Sequence, residues 1–365
     1  MDRPQVFVDF HHSSLLKSFI LLFERRFGGK VFRPIGMTWH ERGFWNVYDH
    51  PETAEQFLGM DQLYIPPDGT PPLNRIEQTM NDFYTCKDVE GNENETNKAI
   101  TFEQFLTKQI DIVIATLPQH VVPYRRLIQE YKPNAKLIVQ LGNRWGPSHQ
   151  HNERNILDST RMPEHTGLNY QFYHQEFDTN IFCPQNWVKL GIGFDHPGIK
   201  TPEKAIYSFM NVLQSTEEFD LFRSVEQQMR VNMWDFKSYG GQCRDGCITG
   251  NKALAEKMRQ ARFIWHLKHG DGYGHIIHNA AAVGRPLIIN RKWYQGSTAE
   301  ALLIDGETCI DVDGLGIQQI LEKINYYSDE KQYRLMCQKV YANFKKVVDF
   351  DKEADEIRGF LDRLV

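Results

Sequence analysis

One stretch of the chain leaves little conformational choice: Phe263 to Asn290, FIWHLKHGDGYGHIIHNAAAVGRPLIIN. Phe263 to Leu267 has the length and apolar character of a buried strand. Gly270, Gly272 and Gly274 then alternate with Asp271 and Tyr273, and glycine lets a backbone turn tightly and approach a ligand closely. His275 to Val283 is expected to form one helix of about two and a half turns. Gly284 stands where a helix end favours a left-handed residue, Pro286 blocks continuation, and Leu287 to Ile289 reads as the next strand. A helix that starts straight from a glycine loop offers unpaired N–H groups and roughly half a positive charge, which suits a phosphate or diphosphate. The spacing is not the dinucleotide fingerprint, because Ile277 occupies the third glycine's place.

Asp271-Gly272-Tyr273-Gly274, then Asn279-Ala280, then Gly284-Arg285-Pro286 resemble the donor-binding segment of glycosyltransferases of the GT-B fold. Retaining members, such as the large family four, typically carry E-G-F-G, a second Glu eight positions after the first, and A-x-A-x-G-x-P. Asp271 stands here in place of the first Glu and Asn279 in place of the second. The resemblance implies an α/β, GT-B architecture: two Rossmann-like domains facing across a cleft, with a C-terminal helix crossing back to the first. It implies a hexosyl- or pentosyltransferase that uses a nucleotide sugar as co-substrate, with no cofactor and no bound metal. In the family the first acid lies near the sugar, which makes Asp271 a catalytic candidate, and the second holds the ribose hydroxyls, a role Asn279 would fill without charge. Lys268, Gly270, Gly272, Tyr273, Gly274 and His275 complete the implied donor site, with Lys268, Arg291 and Lys292 as candidate cations for the diphosphate. The family recognises its base in the loop corresponding to Lys237–Gly241, where Tyr239 is placed to stack on it. The Arg and Lys that usually follow the first strand of the second domain are replaced here by Gln214-Ser215-Thr216-Glu217.

The chain supports two domains: 365 residues, 41% hydrophobic and 24% charged. Residues 1–195 are expected to form the acceptor-side domain, 196–345 the donor domain and 346–365 the returning helix, with a boundary in the glycine- and proline-rich run between Gly191 and Lys204. In the first domain, Gln5 to Phe10 is expected as a strand, His11-His12-Ser13-Ser14 as a turn, and Leu15 to Phe27 as a helix, a βαβ opening. Turns at the carboxyl ends of parallel strands border the ligand crevice, so His11 and His12 are candidate catalytic residues. They stand where inverting GT-B enzymes often hold a base, whereas the Asp271–Asn279 spacing leans to retention; retention is the reading adopted. The aromatic run Tyr170 to Pro184 is expected to line the cleft, Val231 to Phe236 to form a strand, and Gln332 to Val365 to be helical.

A net charge of −5 gives no global attraction to nucleic acid. No apolar run reaches the roughly 20 residues of a membrane span. Met1-Asp2-Arg3 leads straight into a strand-like run, and the six cysteines form no C-x-x-C pair, which together suggest a reduced, cytoplasmic chain. Cys243 and Cys247 read as ordinary thiols, and Asp311-Val312-Asp313, despite its D-x-D form, as turn chemistry before Gly314. The acceptor is open: a carbohydrate, a lipid-linked group or another hydroxyl. Two further readings of the same residues are a UDP-sugar epimerase of the same fold and a catalytically weakened nucleotide-sugar-binding protein.

Overall fold

The computed structural model describes residues 1–8, 18–34, 99–100, 102–116, 121–142, 154–161, 167–183, 203–211, 213–248, 250–268 and 274–364. They pack as two compact units, Met1–Phe177 with Phe350–Val365, and Asp178–Asp349. The boundary expected between Gly191 and Lys204 falls almost wholly outside the described residues.

The first unit is built on a sheet of β1 (Gln5–Val8), β2 (Lys30–Pro34), β3 (Ala99–Ile100), β4 (Ile112–Ala115), β5 (Lys136–Leu141), β6 (Ile156–Asp158) and β7 (Leu168–Asn169). Its order is β3-β2-β1-β4-β5-β6-β7, and each pair is parallel. Parallel strands are covered on both faces, which is why β4 is apolar and buried at every position. The order is that of a dinucleotide-binding sheet, extended by one strand.

Several expectations need correcting here. β6 and β7 are strands of three and two residues, too short to carry a sequence periodicity. The aromatics Tyr170, Phe172 and Tyr173 do not line an open surface. They are buried, with Tyr170 and Tyr173 in edge-to-face contact at 4.2 Å. The described part of the first helix ends as a π-helical turn, Leu21–Arg26.

The C-terminal chain is two helices, Glu330–Val347 and Phe350–Leu361. The second sets Ala354, Ile357, Phe360 and Leu361 into the core of the first unit. Arg26 holds it by pairing with both Glu176 (2.7 Å) and Asp351 (2.6 Å). Glu353 Oε1 accepts the Gln171 and Phe172 backbone N–H groups at 2.5 and 2.7 Å. Among the described residues, no helix is long and apolar enough to cross a membrane.

The second unit carries β8 (Ala205–Phe209), β9 (Asp235–Tyr239), β10 (Phe263–His266), β11 (Leu287–Ile289) and β12 (Cys309–Asp311), in the order β12-β11-β10-β8-β9, each pair parallel. Phe263 and Trp265 of β10 pack into a core with Phe222 and Val225 of helix Phe219–Val231 and Ile320 and Ile324 of helix Ile317–Tyr327. β9 begins later than expected. The run Val231 to Phe236 looks strand-like, yet Val231 ends a helix, and Asn232 and Met233 make the turn, with Met233 at φ 62°. The preceding helix starts after Glu218, and Thr216 donates its hydroxyl to the Leu213 carbonyl.

Burial raises the Glu353 carboxyl to about 7, against the backbone bonds from Phe172, Gln171 and Tyr173 that lower it. The folded value lies above the unfolded one, so the stability linked to this proton is complete below about 4.5 and is lost as pH rises through about 7. Glu353→Gln keeps the accepting oxygen and removes the ionisation. Unfolding midpoints of the two proteins at pH 5 and pH 8 should diverge, with the variant gaining on the order of 3 kcal/mol relative to wild type at the higher pH. An offset that is the same at both pH values contradicts this assignment.

Candidate functional site

In the second sheet the winding reverses between β8 and β10. Chain connections leave these two strands toward opposite faces, so the carboxyl ends of neighbouring strands border a crevice there, the position at which open α/β sheets bind ligands. The chain leaving β8 there is Met210–Ser215, and the chain leaving β10 begins at Leu267 and Lys268. A cavity of about 790 Å³ opens among Lys204, Ala205, Asp235 and Arg262, at the amino ends of β8, β9 and β10. That is the edge on which such sheets do not bind ligands.

The helix expected after the glycine loop is present as His275–Ala282, and Gly274 precedes it in the left-handed region at φ 84°. Its carbonyl accepts the Ile277 and His278 N–H groups at 2.8 and 3.2 Å, so the helix ladder begins at this residue. The helix dipole is positive at this end. β10 is anchored as it exits: Tyr294, buried, donates its hydroxyl to the Lys268 carbonyl at 2.6 Å.

The loop leaving β9 is tightly folded. Gly240 N–H donates to the Gly246 carbonyl and Asp245 N–H to the Ser238 carbonyl, while Asn211, from the β8 exit, accepts the Gly241 N–H at 2.6 Å. Gly240, at φ 146°, lies so close to the Met210 carbonyl that a Cβ would sit 2.2 Å from its oxygen. Below the loop, Glu226 is buried against Arg223, Arg230 and Arg244. Burial alone would raise its carboxyl, but bonds from Arg244 and Arg230 outweigh it and hold Glu226 below the usual carboxylate range. The β8 and β9 exits are thus tied together by contacts that local sequence does not announce.

Of the residues singled out in the sequence, His11, His12, Gly270, Asp271, Gly272 and Tyr273 lie outside the described residues. Gly274, His275 and Asn279 share one helix and its cap. Asn279 is buried, and its Oδ1 has no hydrogen-bond partner among the described residues. Lys268 is exposed at the end of β10. Arg291 and Lys292 have their charges met by Asp311 (3.9 Å) and Asp313 (3.2 Å). Asp311 also accepts the Arg291 and Asp313 backbone N–H groups, each at 3.1 Å, which makes Asp311-Val312-Asp313 a turn. Among the described residues, no group of three or more His, Cys, Asp or Glu side chains could hold a metal ion. Cys243 donates to the Met210 carbonyl, and Cys247 is exposed.

Tyr239 is not in a loop. It is the last residue of β9, paired with Phe209, stacked on that ring at 5.6 Å and edge-on to Tyr207, with Lys257 5.9 Å from its centroid. One residue that sequence reasoning passed over stands out. His266 ends β10, is 4% exposed, and has no partner on either ring nitrogen among the described residues. Burial, reinforced by Lys268, drives its imidazole down to about 3, so it is neutral across the physiological range. His278 is also held neutral by burial, but its Nε2 bonds Thr179 at 2.5 Å and its ring meets Phe344, as a core residue would.

No protein-family model and no curated protein matches the sequence. Solved structures do. The Anabaena HepE protein, crystallised with UDP-glucose, is 14% identical with a TM-score of 0.50, over 98% of this chain and 100% of its own. A sucrose-phosphate synthase from Thermosynechococcus elongatus is 11% identical with a TM-score of 0.55, over 99% of each. An alpha-glucosyltransferase, in complex with UDP and a 13-mer DNA, is 12% identical with a TM-score of 0.56, over the full length of both. At these identities the likeness is one of fold, and that fold is GT-B, two Rossmann-like domains in one chain.

Gly274 offers a local test of the helix start. Alanine there meets a left-handed backbone, and its Cβ would lie 2.9 Å from Ile277 Cδ1. Gly274→Ala should cost about 1–2 kcal/mol, and Gly274→Asn, which tolerates that conformation, clearly less. Thermal melts that rank the two variants the other way contradict the left-handed cap.

Proposed function

We propose that this protein is a glycosyltransferase that moves a sugar from a nucleotide-diphosphate donor, a UDP-sugar, to a hydroxyl acceptor. The observation that carries the reading is the pairing of the β8–β10 switch point with helix His275–Ala282, which begins beside it from a left-handed glycine. Such a helix start takes the diphosphate through its N–H groups and dipole. The presence of UDP or UDP-glucose in two of the structures with this fold supports the same ligand class.

In the transfer, the bond between the anomeric carbon and the donor phosphate oxygen breaks, and the acceptor oxygen bonds to that carbon as its hydroxyl loses a proton. The negative charge that develops on the departing diphosphate is the charge a preorganised helix start stabilises best. No resident metal is required, with Lys268 as an additional cation. Asp271 is assigned near the sugar, and retention follows from its spacing to Asn279. His11 and His12, shortly after β1 at the switch point of the first sheet, are assigned to the acceptor side. Asn279 is assigned to the ribose, where its unpartnered Oδ1 meets a hydroxyl.

Thermal shift with UDP and a panel of UDP-sugars, with and without EDTA, tests the reading. A ligand at 100 times its Kd should add about 2.7 kcal/mol of stability in either buffer. Complete loss of binding in chelator, restored by manganese, overturns metal independence. Conversion of the donor sugar to its epimer without any acceptor overturns transfer. NMR of the anomeric configuration of the product decides retention.

A further inference from the structure

The β10–β11 crossover carries two buried polar side chains that lack hydrogen-bond partners among the described residues: His266 on the strand entering it, and Asn279 on the helix. Strand alternation sets His266 on the face of β10 opposite Trp265, whose ring packs into the core with Phe222. A right-handed crossover puts helix His275–Ala282 over that same opposite face. The His266 ring lies 6.0 Å from the ring of Tyr294, the residue that anchors the strand exit. Buried polar groups in folded proteins are almost always satisfied, so both ring nitrogens standing unpartnered call for a missing partner.

We infer that His266 is a ligand-binding residue that hydrogen-bonds a hydroxyl group, on the ribose or the transferred sugar of the donor; this rests on the nucleotide-sugar reading of the site. A neutral imidazole presents one N–H and one lone pair. A hydroxyl, which both donates and accepts, can satisfy either. A phosphate oxygen only accepts, and would oppose the lone pair of the imidazole and the Oδ1 of Asn279. Burial and Lys268 keep the ring in that neutral form. The division of labour is then by chemistry: the helix start takes charge, and His266 takes a hydroxyl.

His266→Phe removes the hydrogen bonds at similar volume, and His266→Gln restores a donor and an acceptor. In calorimetric titrations with UDP and UDP-glucose, His266→Phe should weaken binding by about tenfold, the worth of one buried hydrogen bond, and His266→Gln should recover part of it. The unliganded Phe variant should melt no lower than wild type, since it loses two unpartnered nitrogens, whereas a purely structural histidine would lower the melt and leave affinity alone. A loss confined to UDP-glucose puts the hydroxyl on the hexose, and a loss shared with UDP puts it on the ribose. Unchanged affinity for both ligands overturns the inference and leaves a buried water as the partner. Ring 15N shifts of His266 in the unsubstituted protein must also move on saturation; a static signal overturns it independently of any variant. Wild-type protein that binds neither ligand sinks the nucleotide-sugar reading itself, and His266 with it.

Discussion

β8 and β10 are neighbouring parallel strands whose connections leave to opposite faces, and the gap this opens at their carboxyl ends is the constraint on which the candidate site depends. Everything near it serves to hold that edge in place. Tyr294 pins the end of β10 through the Lys268 carbonyl, Asn211 joins the β8 exit to the β9 exit, and Asn290 at the end of β11 donates to Glu218 at 2.6 Å. These bonds fix four strand exits relative to one another. A helix start can then act as a preorganised electrostatic element without reorganising when a ligand arrives.

The same region divides its polar groups by environment. The cations and acids near β12 are paired in an outer turn, where exposed ion pairs contribute little. Inside, His266 and Asn279 are buried and carry no charge. A buried neutral group left without a partner is a cost to the unliganded fold, and a ligand that supplies the partner recovers it. Sites of this kind trade some stability of the empty protein for selectivity toward groups of the right donor and acceptor pattern.

Much of the fold was legible in the sequence wherever local pattern and tertiary role agree. The strand–helix–strand run from Phe263 to Ile289 follows from apolar runs, glycine placement and Pro286. Legibility failed where distant contacts decide. β6 exists only because β5 offers an edge to pair with, and β7 only because β6 in turn offers one. Tyr170 and Tyr173 are core residues only because helix Phe350–Leu361 returns from nearly two hundred positions downstream to pack beside them. Of the candidate site, the helix and the glycine that precedes it were legible. His266 was not, because a histidine ending a strand looks the same whether solvent or a crossing helix covers it.

The central claim is that the N-terminal turn of helix His275–Ala282 receives the diphosphate of a nucleotide sugar. A crystal structure of the protein soaked with a UDP-sugar tests it most directly. The account predicts phosphate oxygens within hydrogen-bond distance of backbone N–H groups in the first turn of that helix, at the carboxyl ends of β8 and β10. Phosphates seated instead in the cavity among Lys204, Asp235 and Arg262, or on the turn of Asp311 and Asp313 through a metal ion, would contradict it.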